Sequence, residues 1–184
     1  MTRIFSALAL AAALAGCGSD ARYATITPEP EARIPSLYGT IEVVEVTLPT
    51  YAEGEEIYAQ DPDGAIVAFG PLWADLPSRA MTLQLASTLD QITGATVAAE
   101  PWPFRDFPAA KVDVRVEDML ATSRGTFRLA GQYYVAPEEL GRNRSGRFAI
   151  EVPLPEDAGA PQIAAARGQA TSQLAEQIAR SGLR

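Results

Sequence analysis

Residues 111–118 read Lys-Val-Asp-Val-Arg-Val-Glu-Asp, and residues 126–135 read Thr-Phe-Arg-Leu-Ala-Gly-Gln-Tyr-Tyr-Val. Apolar and polar side chains alternate in the first segment and largely alternate in the second, which places them on opposite faces of a β-strand. Ser-Arg-Gly at 123–125 supplies a turn between the two segments. The two segments therefore predict the long hairpin of a sheet with one apolar and one polar face.

Several shorter segments also have strand character. The β-branched run Ile-Glu-Val-Val-Glu-Val-Thr-Leu stops at Pro49 and is typical of a strand near the centre of a sheet. The sequence Asp-Pro-Asp-Gly contains Asp-Gly, a strong hairpin signal, between two apolar stretches. These patterns, and two further short apolar runs, predict strands at 41–48, 56–60, 65–69, 96–99 and 147–152.

Two helices complete the prediction. Asp75 and Pro77 are typical of a helix start, and apolar residues recur at three-to-four spacing from there to Gly94. The Ala-rich segment 161–183 has the composition of a second helix. The order of strands, helix, strands and helix predicts a single α/β domain, a mixed β-sheet with two main helices packed on it.

Composition excludes several classes of function. The chain has 184 residues, 15 Lys+Arg against 23 Asp+Glu, no histidine and one cysteine. Without histidine there is no Ser-His-Asp or Cys-His nucleophile system, and one cysteine cannot form an internal disulfide or a cysteine-rich metal site. The formal charge of -8 argues against broad nucleic-acid binding, which needs an electropositive face. Binding without chemistry is the favoured class.

Residues 1–16 have the features of an export signal. Arg3 gives a positive start, and residues 4–15 form an apolar run broken only by a serine. As a helix this run would span roughly 18 Å, well short of the roughly 30 Å hydrocarbon core of a membrane. The segment therefore predicts a secretory signal rather than a transmembrane anchor.

The apolar run ends in Leu-Ala-Gly-Cys at 14–17, which resembles a bacterial lipobox. The resemblance implies cleavage before Cys17, a diacylglyceryl group on its thiol and an acylated amino terminus. Gly18 follows the cysteine, and by resemblance to enterobacterial lipoproteins this implies export to the outer membrane. The alternative is an ordinary signal peptide with an incidental cysteine. Three prolines within residues 17–37 then predict a flexible tether, and the folded domain is expected at 38–184.

The most unusual stretch outside the regular elements is Trp-Pro-Phe-Arg-Asp-Phe-Pro at 102–108. Its three aromatic side chains, Trp102, Phe104 and Phe107, lie between prolines that make the loop stiff. If exposed, they could insert among lipid headgroups or fill the pocket of a partner protein. The alternative is that they fold back over the sheet as a lid.

Two other groups are candidates for a partner or membrane surface. Tyr51 and Trp73 lie where a strand or loop meets a helix start, and either pack structurally or form the rim of a partner surface. Arg142, Arg144 and Arg147 make a basic hairpin tip within an acidic protein. The tip is either a solvated turn or a contact for anionic headgroups or an acidic partner.

No catalytic residue, metal ligand or cofactor is predicted. The acidic residues between 53 and 63 do not have the register of a calcium loop. Lys111 is the only lysine and lacks the Ser-x-x-Lys spacing of a Ser-Lys catalyst. The protein is therefore not expected to be an enzyme.

Two motifs resemble a known family. Residues 41–51, Ile-Glu-Val-Val-Glu-Val-Thr-Leu-Pro-Thr-Tyr, are similar to the strand-plus-Leu-Pro-x-Tyr segment of the ABC-type transport auxiliary lipoproteins. Residues 72–77, Leu-Trp-Ala-Asp-Leu-Pro, resemble their tryptophan followed by a Leu-Pro helix start. The lipobox, the order of elements and the length agree with this family, and the resemblance covers about 38–182.

The resemblance implies a non-enzymatic accessory protein with a compact α/β domain related to anticodon-binding-like sheets. Its partners would be a substrate-binding MCE-domain protein and an inner-membrane permease, which move lipid between the two membranes. This subunit would dock the machine to the outer membrane, and we expect it to form a homo-oligomer around a partner. One alternative is an adaptor lipoprotein of lipopolysaccharide assembly or a Tol-type scaffold. Another is an envelope hydrolase.

Overall fold

The computed structural model describes residues 21–139 and 141–184. The signal segment 1–16 and the lipidation site Cys17 lie outside these residues. The described chain forms eight strands, two helices and one 3-10 turn at Thr50–Ala52. In chain order the strands and helices are β1 (Arg22–Tyr23), β2 (Thr40–Val43), β3 (Glu56–Gln60), β4 (Ile66–Trp73), α1 (Pro77–Thr93), β5 (Thr96–Ala99), β6 (Ala110–Ala121), β7 (Thr126–Pro137), β8 (Arg144–Pro153) and α2 (Ala160–Ser181).

The hairpin of β6 and β7 is the longest pairing in the sheet, which confirms the prediction from the alternating segments. Its turn is closed by Gly125, whose φ of 74° suits a residue without a side chain. A bulge between Val116 and Asp118 inserts one residue into β6. Strand β8 pairs antiparallel with β7 on the far side. The hairpin thus supports the rest of the sheet.

The edge of β6 that faces away from β7 pairs with two short branches of the sheet. Near its start β6 pairs in parallel with β2, which pairs in parallel with β5. Near its end β6 meets β3 through one parallel pair, and β3 continues antiparallel to β4 and then parallel to β1. The sheet is therefore open and mixed, as the sequence predicts, and β2 lies inside it.

Both helices cover the apolar face of this sheet. Helix α1 packs on β2 and β5, α2 packs on β7 and β8, and the two helices contact each other. The apolar positions of β6 and β7 are buried beneath them, whereas Arg115 and Tyr134 lie on the opposite, open face. Helix α1 ends at Gly94 in a left-handed conformation, and the bounds of both helices agree with the sequence prediction.

The run 41–48 differs from its prediction as one strand. Regular pairing stops at Val43 and resumes only as a single bridge between Thr47 and Arg115. Between them the backbone N–H groups of Glu45 and Val46 donate to the side chains of Glu100 and Thr82 instead of to a strand. The chain leaves the ladder because these side chains offer it other acceptors.

Residues 21–37 also differ from the predicted flexible tether. Strand β1 pairs with the end of β4, and Ile34 is 3% exposed with its N–H donated to the carbonyl of Ile92. The N–H of Leu37 donates to the carbonyl of Leu183. The described part of the predicted tether therefore lies along the domain, because its scattered apolar side chains and backbone groups find partners there. Such contacts leave no periodic signal in a sequence.

A candidate interaction groove at one end of the sheet

An open groove lies where β6 begins and β7 ends. One wall is the loop 101–109, which contains the aromatic residues, and the other is the turn between β7 and β8. The groove encloses about 1000 Å³, and Leu37 and Tyr38 close it at one side. Two segments that the sequence presents as separate candidates, the aromatic loop and the basic tip, are thus brought together by the fold. We call this site the aromatic groove.

The aromatic loop is tied to the sheet by side chains of β2. The carboxylate of Glu42 accepts a hydrogen bond from the N–H of Trp102 at 3.0 Å and forms an ion pair of 3.1 Å with Lys111. The hydroxyl of Thr40 accepts from the N–H of Ala109 at 2.9 Å. Glu42 is only 5% exposed, so its charge is stabilised by these two donors. The loop is therefore held at both of its ends.

This ion pair also changes the pKa of Lys111. The hydrogen bond that Lys111 donates to Glu42, and then the negative charge of Glu42, raise the pKa of Lys111 above its ordinary value. The ammonium therefore stays charged throughout the physiological pH range. The charged ammonium of Lys111 consequently holds the carboxylate of Glu42 in position to accept the hydrogen bond from Trp102.

The three aromatic side chains of the loop are not equivalent. Trp102 is half-buried, donates its indole N–H to the carbonyl of Asp106 at 2.7 Å and meets Phe104 edge to face at 5.0 Å. Phe104 is 54% exposed and Phe107 is 80% exposed. The loop is therefore not a lid whose rings are hidden against the sheet. Trp102 supports the loop, and the two phenylalanines present apolar surface to the solvent.

The basic tip is divided by the structure. Arg142 and Arg144 line the aromatic groove, but Arg147 lies on the open face of the sheet, 3.7 Å from the carboxylate of Glu117. The groove is also lined by one further arginine and three acidic residues: Arg105, Asp106, Glu138 and Glu139. The site is therefore mixed in charge, not uniformly basic.

Tyr51 and Trp73 lie away from the groove. Trp73 is 2% exposed and belongs to the core, so it does not form the rim of a partner surface. Tyr51 is half-buried, and its hydroxyl accepts a hydrogen bond from the N–H of Met119 at 2.9 Å. Burial raises the pKa of Tyr51 above its ordinary value. Trp73 thus packs in the core, and Tyr51 is tied to β6 through its hydroxyl.

Sequence reasoning missed the residues that position the groove. Glu42 is the important one, and its only signal is an acidic residue inside a β-branched run. Leu37 is 72% exposed beside the groove and lies in the segment 17–37, which the sequence predicts to be a tether. Their role depends on strands that are adjacent in space but distant in sequence.

Two features are absent from the part of the chain that the structure describes. Among residues 21–139 and 141–184, no cluster of three or more histidine, cysteine, aspartate and glutamate residues has the arrangement of a metal site. Over the same ranges, no helix is both long enough and apolar enough to span a membrane.

The fold and the groove define a single α/β domain built on an open mixed sheet, with an exposed apolar surface at one end. The chain belongs to the family of the ABC-type transport auxiliary lipoprotein component, whose model matches residues 23–179. The family is one of transport components rather than a class of enzymes. Its description as a lipoprotein places it with membrane-associated proteins of the cell envelope.

Solved structures show the same fold. One, described as the crystal structure of an uncharacterized protein, is 19% identical, with a TM-score of 0.67 over 80% of this chain and 94% of that one. Another, from Xanthomonas campestris and assigned to the family DUF330, is 15% identical, with a TM-score of 0.67 over 86% and 90% of the two chains. No curated protein sequence matches this chain.

Proposed function

We propose that this protein is the auxiliary subunit of an MCE-type lipid transport system and that it docks the periplasmic part of that machine to the outer membrane. The family supplies the transport role. The observation that supports docking is the aromatic groove, where Phe107 is exposed in one wall. Phe104 is exposed on the same loop, which Glu42 fixes to the sheet. A rigid loop loses little conformational entropy on binding, so its exposed rings favour a protein contact.

The partner that we propose for the groove is the MCE-domain protein, which works with an inner-membrane permease. The mixed charges around the groove suit a protein surface with both acidic and basic groups better than a uniformly anionic membrane. The same rings could also meet a second copy of this chain, so homo-oligomerisation is part of the proposal.

The anchor that we propose is a lipid on Cys17 in the outer membrane. Within the described part of the chain, the carbonyl of Ala21 already accepts a hydrogen bond from the N–H of Leu72. Three residues lie between Cys17 and Ala21, so the chain can span at most about 14 Å from one to the other. A lipidated Cys17 would therefore hold the corner formed by β1 and β4 close to the membrane surface instead of letting the domain stand far from it.

The decisive experiment is crosslinking in living cells, followed by purification through a tag after Arg184 and mass spectrometry. Recovery of an MCE-domain protein together with its permease is the expected result. Recovery of only lipopolysaccharide-assembly or Tol components would overturn the transport role and leave the fold intact. A matched sample with Phe107→Ser tests whether the groove is the contact, since that variant should lose the MCE-domain protein.

The anchor is tested separately with Cys17→Ser. The variant should appear in the soluble periplasmic fraction, because no thiol remains to carry the lipid. Retention of the variant in the membrane fraction at the wild-type level would contradict the anchor.

A further inference from the structure

Arg167, in the middle of α2, is a buried charge that the transport role does not use. The residue is 2% exposed, and its Nε and Nη1 atoms have no hydrogen-bond partner. A buried guanidinium normally finds a carboxylate or several carbonyl groups, because an unpaired charge is costly to remove from water. Such a group in a native fold requires an explanation.

The surroundings of Arg167 compensate its charge only in part. The guanidinium lies 4.0 Å from the centre of the Trp73 ring, a favourable cation–π contact. The carboxylate of Asp75 acts on it through its charge, but that carboxylate already pairs with Arg79 and accepts from the N–H of Leu76. Burial lowers the pKa of Arg167 to about 10, so it remains a cation at neutral pH. The charge is thus retained without a direct partner.

Arg167 lines a cavity of about 350 Å³ between β1, α1 and α2. Thr25 lines the same cavity, and its hydroxyl is also buried without a hydrogen-bond partner. Two unpartnered donors from distant parts of the chain therefore meet at one cavity. Its other polar side chains are Tyr23, Thr27, Asp75, Gln84 and Ser87. The carboxylate of Asp75 is already paired with Arg79, so it leaves the charge of Arg167 for another anion.

The wall that carries Thr25 is fitted to α2. A Cβ atom at Gly168 would lie 2.0 Å from the carbonyl oxygen of Ile26, so only glycine lets the segment approach the helix this closely. The amide of Gln84 donates to the carbonyl of Gly168 at 2.7 Å and joins the two helices at the same level. The cavity is therefore built by specific contacts and is not an accident of loose packing.

We propose that this cavity binds a phosphate group, held by the guanidinium of Arg167 and the hydroxyl of Thr25. A guanidinium and hydroxyl donors match the several acceptor oxygens of phosphate, and the charge of the anion satisfies the buried cation. The group comes either from free phosphate or from the headgroup of a phospholipid. The second source rests on the proposed anchor, which would place this corner of the domain at the membrane surface.

The test uses the full chain in phosphate-free buffer, with Trp102→Phe in all samples so that Trp73 is the one remaining tryptophan. Inorganic phosphate and glycerol 3-phosphate are titrated separately at constant ionic strength, and Trp73 fluorescence and the thermal midpoint are followed. Both signals should change saturably. Arg167→Gln should weaken binding by about tenfold to a hundredfold, since a charged hydrogen-bond donor is lost.

A matched pair of variants keeps the test valid if Arg167→Gln fails to fold. Thr25→Val removes the unpartnered hydroxyl in the cavity, and Thr88→Val removes another buried, unpartnered hydroxyl that does not line it. Thr25→Val should weaken phosphate binding by about threefold to tenfold, and Thr88→Val should not. No saturable change in the parent, or equal binding by the two threonine variants, would overturn the proposal.

The two probes distinguish the sources. Tighter binding of glycerol 3-phosphate than of inorganic phosphate supports a lipid headgroup, and the reverse order supports free phosphate. Neither result depends on which proteins are captured by crosslinking, so the phosphate site and the transport role can fail independently.

Discussion

The aromatic groove and the Arg167 cavity show opposite relations between polarity and burial. At the groove, the polar groups that hold the aromatic loop are paired, while Phe104 and Phe107 of that loop remain exposed. At the cavity, Arg167 and Thr25 are buried without hydrogen bonds, and the indole N–H of Trp73, whose ring contacts Arg167, is also buried without a partner. Each region departs from the usual arrangement of a folded domain in a different direction.

The difference indicates two kinds of ligand. Exposed rings gain free energy when another surface covers them, and so they favour a macromolecular partner. Buried unpaired donors gain free energy only when a small group with acceptor oxygens reaches them. Variants that change one region and not the other test whether the two regions bind different kinds of ligand.

The largest change in stability is expected from a substitution at Gly168, where the cavity wall packs against α2. Gly168→Ala should lower the free energy of unfolding by about 2–3 kcal/mol, because its Cβ would overlap the carbonyl of Ile26. This loss should appear although alanine favours a helix more than glycine does. Urea denaturation measures it, with Gly39→Ala as the control, since a Cβ at Gly39 meets nothing within 4 Å. A stabilised Gly168→Ala would show that residues 25–26 do not press on α2.

The next largest effect is expected at the support of the aromatic loop. Glu42→Gln should lower the free energy of unfolding at pH 7 by about 1–2 kcal/mol, because the buried carboxylate loses its ion pair with Lys111. Glu45→Gln, at an exposed position, is the control. It should change stability by no more than about 0.5 kcal/mol.

This variant has a defined pH dependence. Glu42 raises the pKa of Lys111 in the folded protein, so the ion pair contributes fully below the ordinary lysine value of 10.5. Its contribution is lost as the pH rises through the higher folded value. The difference between wild type and Glu42→Gln should therefore be constant from pH 6 to about 9.5 and shrink above pH 10.5. A difference that shrinks below pH 9 would point to another group.

A smaller change in stability is expected when the exposed phenylalanine rings of the aromatic loop are removed. Phe104→Ala with Phe107→Ala should change the free energy of unfolding by about 1 kcal/mol or less, since both rings are largely in water. Recovery of the crosslinked partner should nevertheless fall. The control is Ile66→Ala with Val67→Ala, which removes exposed apolar surface on β4, where these residues are 43% and 44% exposed. Loss of partner in the control alone would move the interface to β4.

The smallest effect on stability is expected from the arginines of the groove. Arg142→Glu with Arg144→Glu should leave the thermal midpoint unchanged but weaken partner capture at low salt. High salt should weaken capture by the wild type and reduce this difference, because it screens exposed charges. Arg147→Glu, on the open face of the sheet, is the control. Equal losses in the double variant and in Arg147→Glu would show that position in the groove is irrelevant.

Much of the fold follows from local patterns. The alternation at 111–118 and 126–135 predicts β6 and β7, and the apolar spacing that ends at Gly94 predicts α1, because each pattern reflects which face of one element is buried. Strand ends were less accurate: β6 and β7 continue beyond the predicted segments. The split after β2 was missed because its cause, a hydrogen bond from Val46 to Thr82, joins residues far apart in the chain.

Three properties could be predicted without the structure: the types and order of the main elements, the exclusion of histidine chemistry and the resemblance to a transport auxiliary family. These properties depend on residue types and short spacings. Three arrangements depend on the packing of the whole chain: the aromatic loop faces the turn of Arg142, Glu42 supports Trp102 from sixty residues away, and Arg167 and Thr25 line one cavity. Such meetings are fixed by the order of strands in the sheet and by the packing of two helices, which no local pattern encodes.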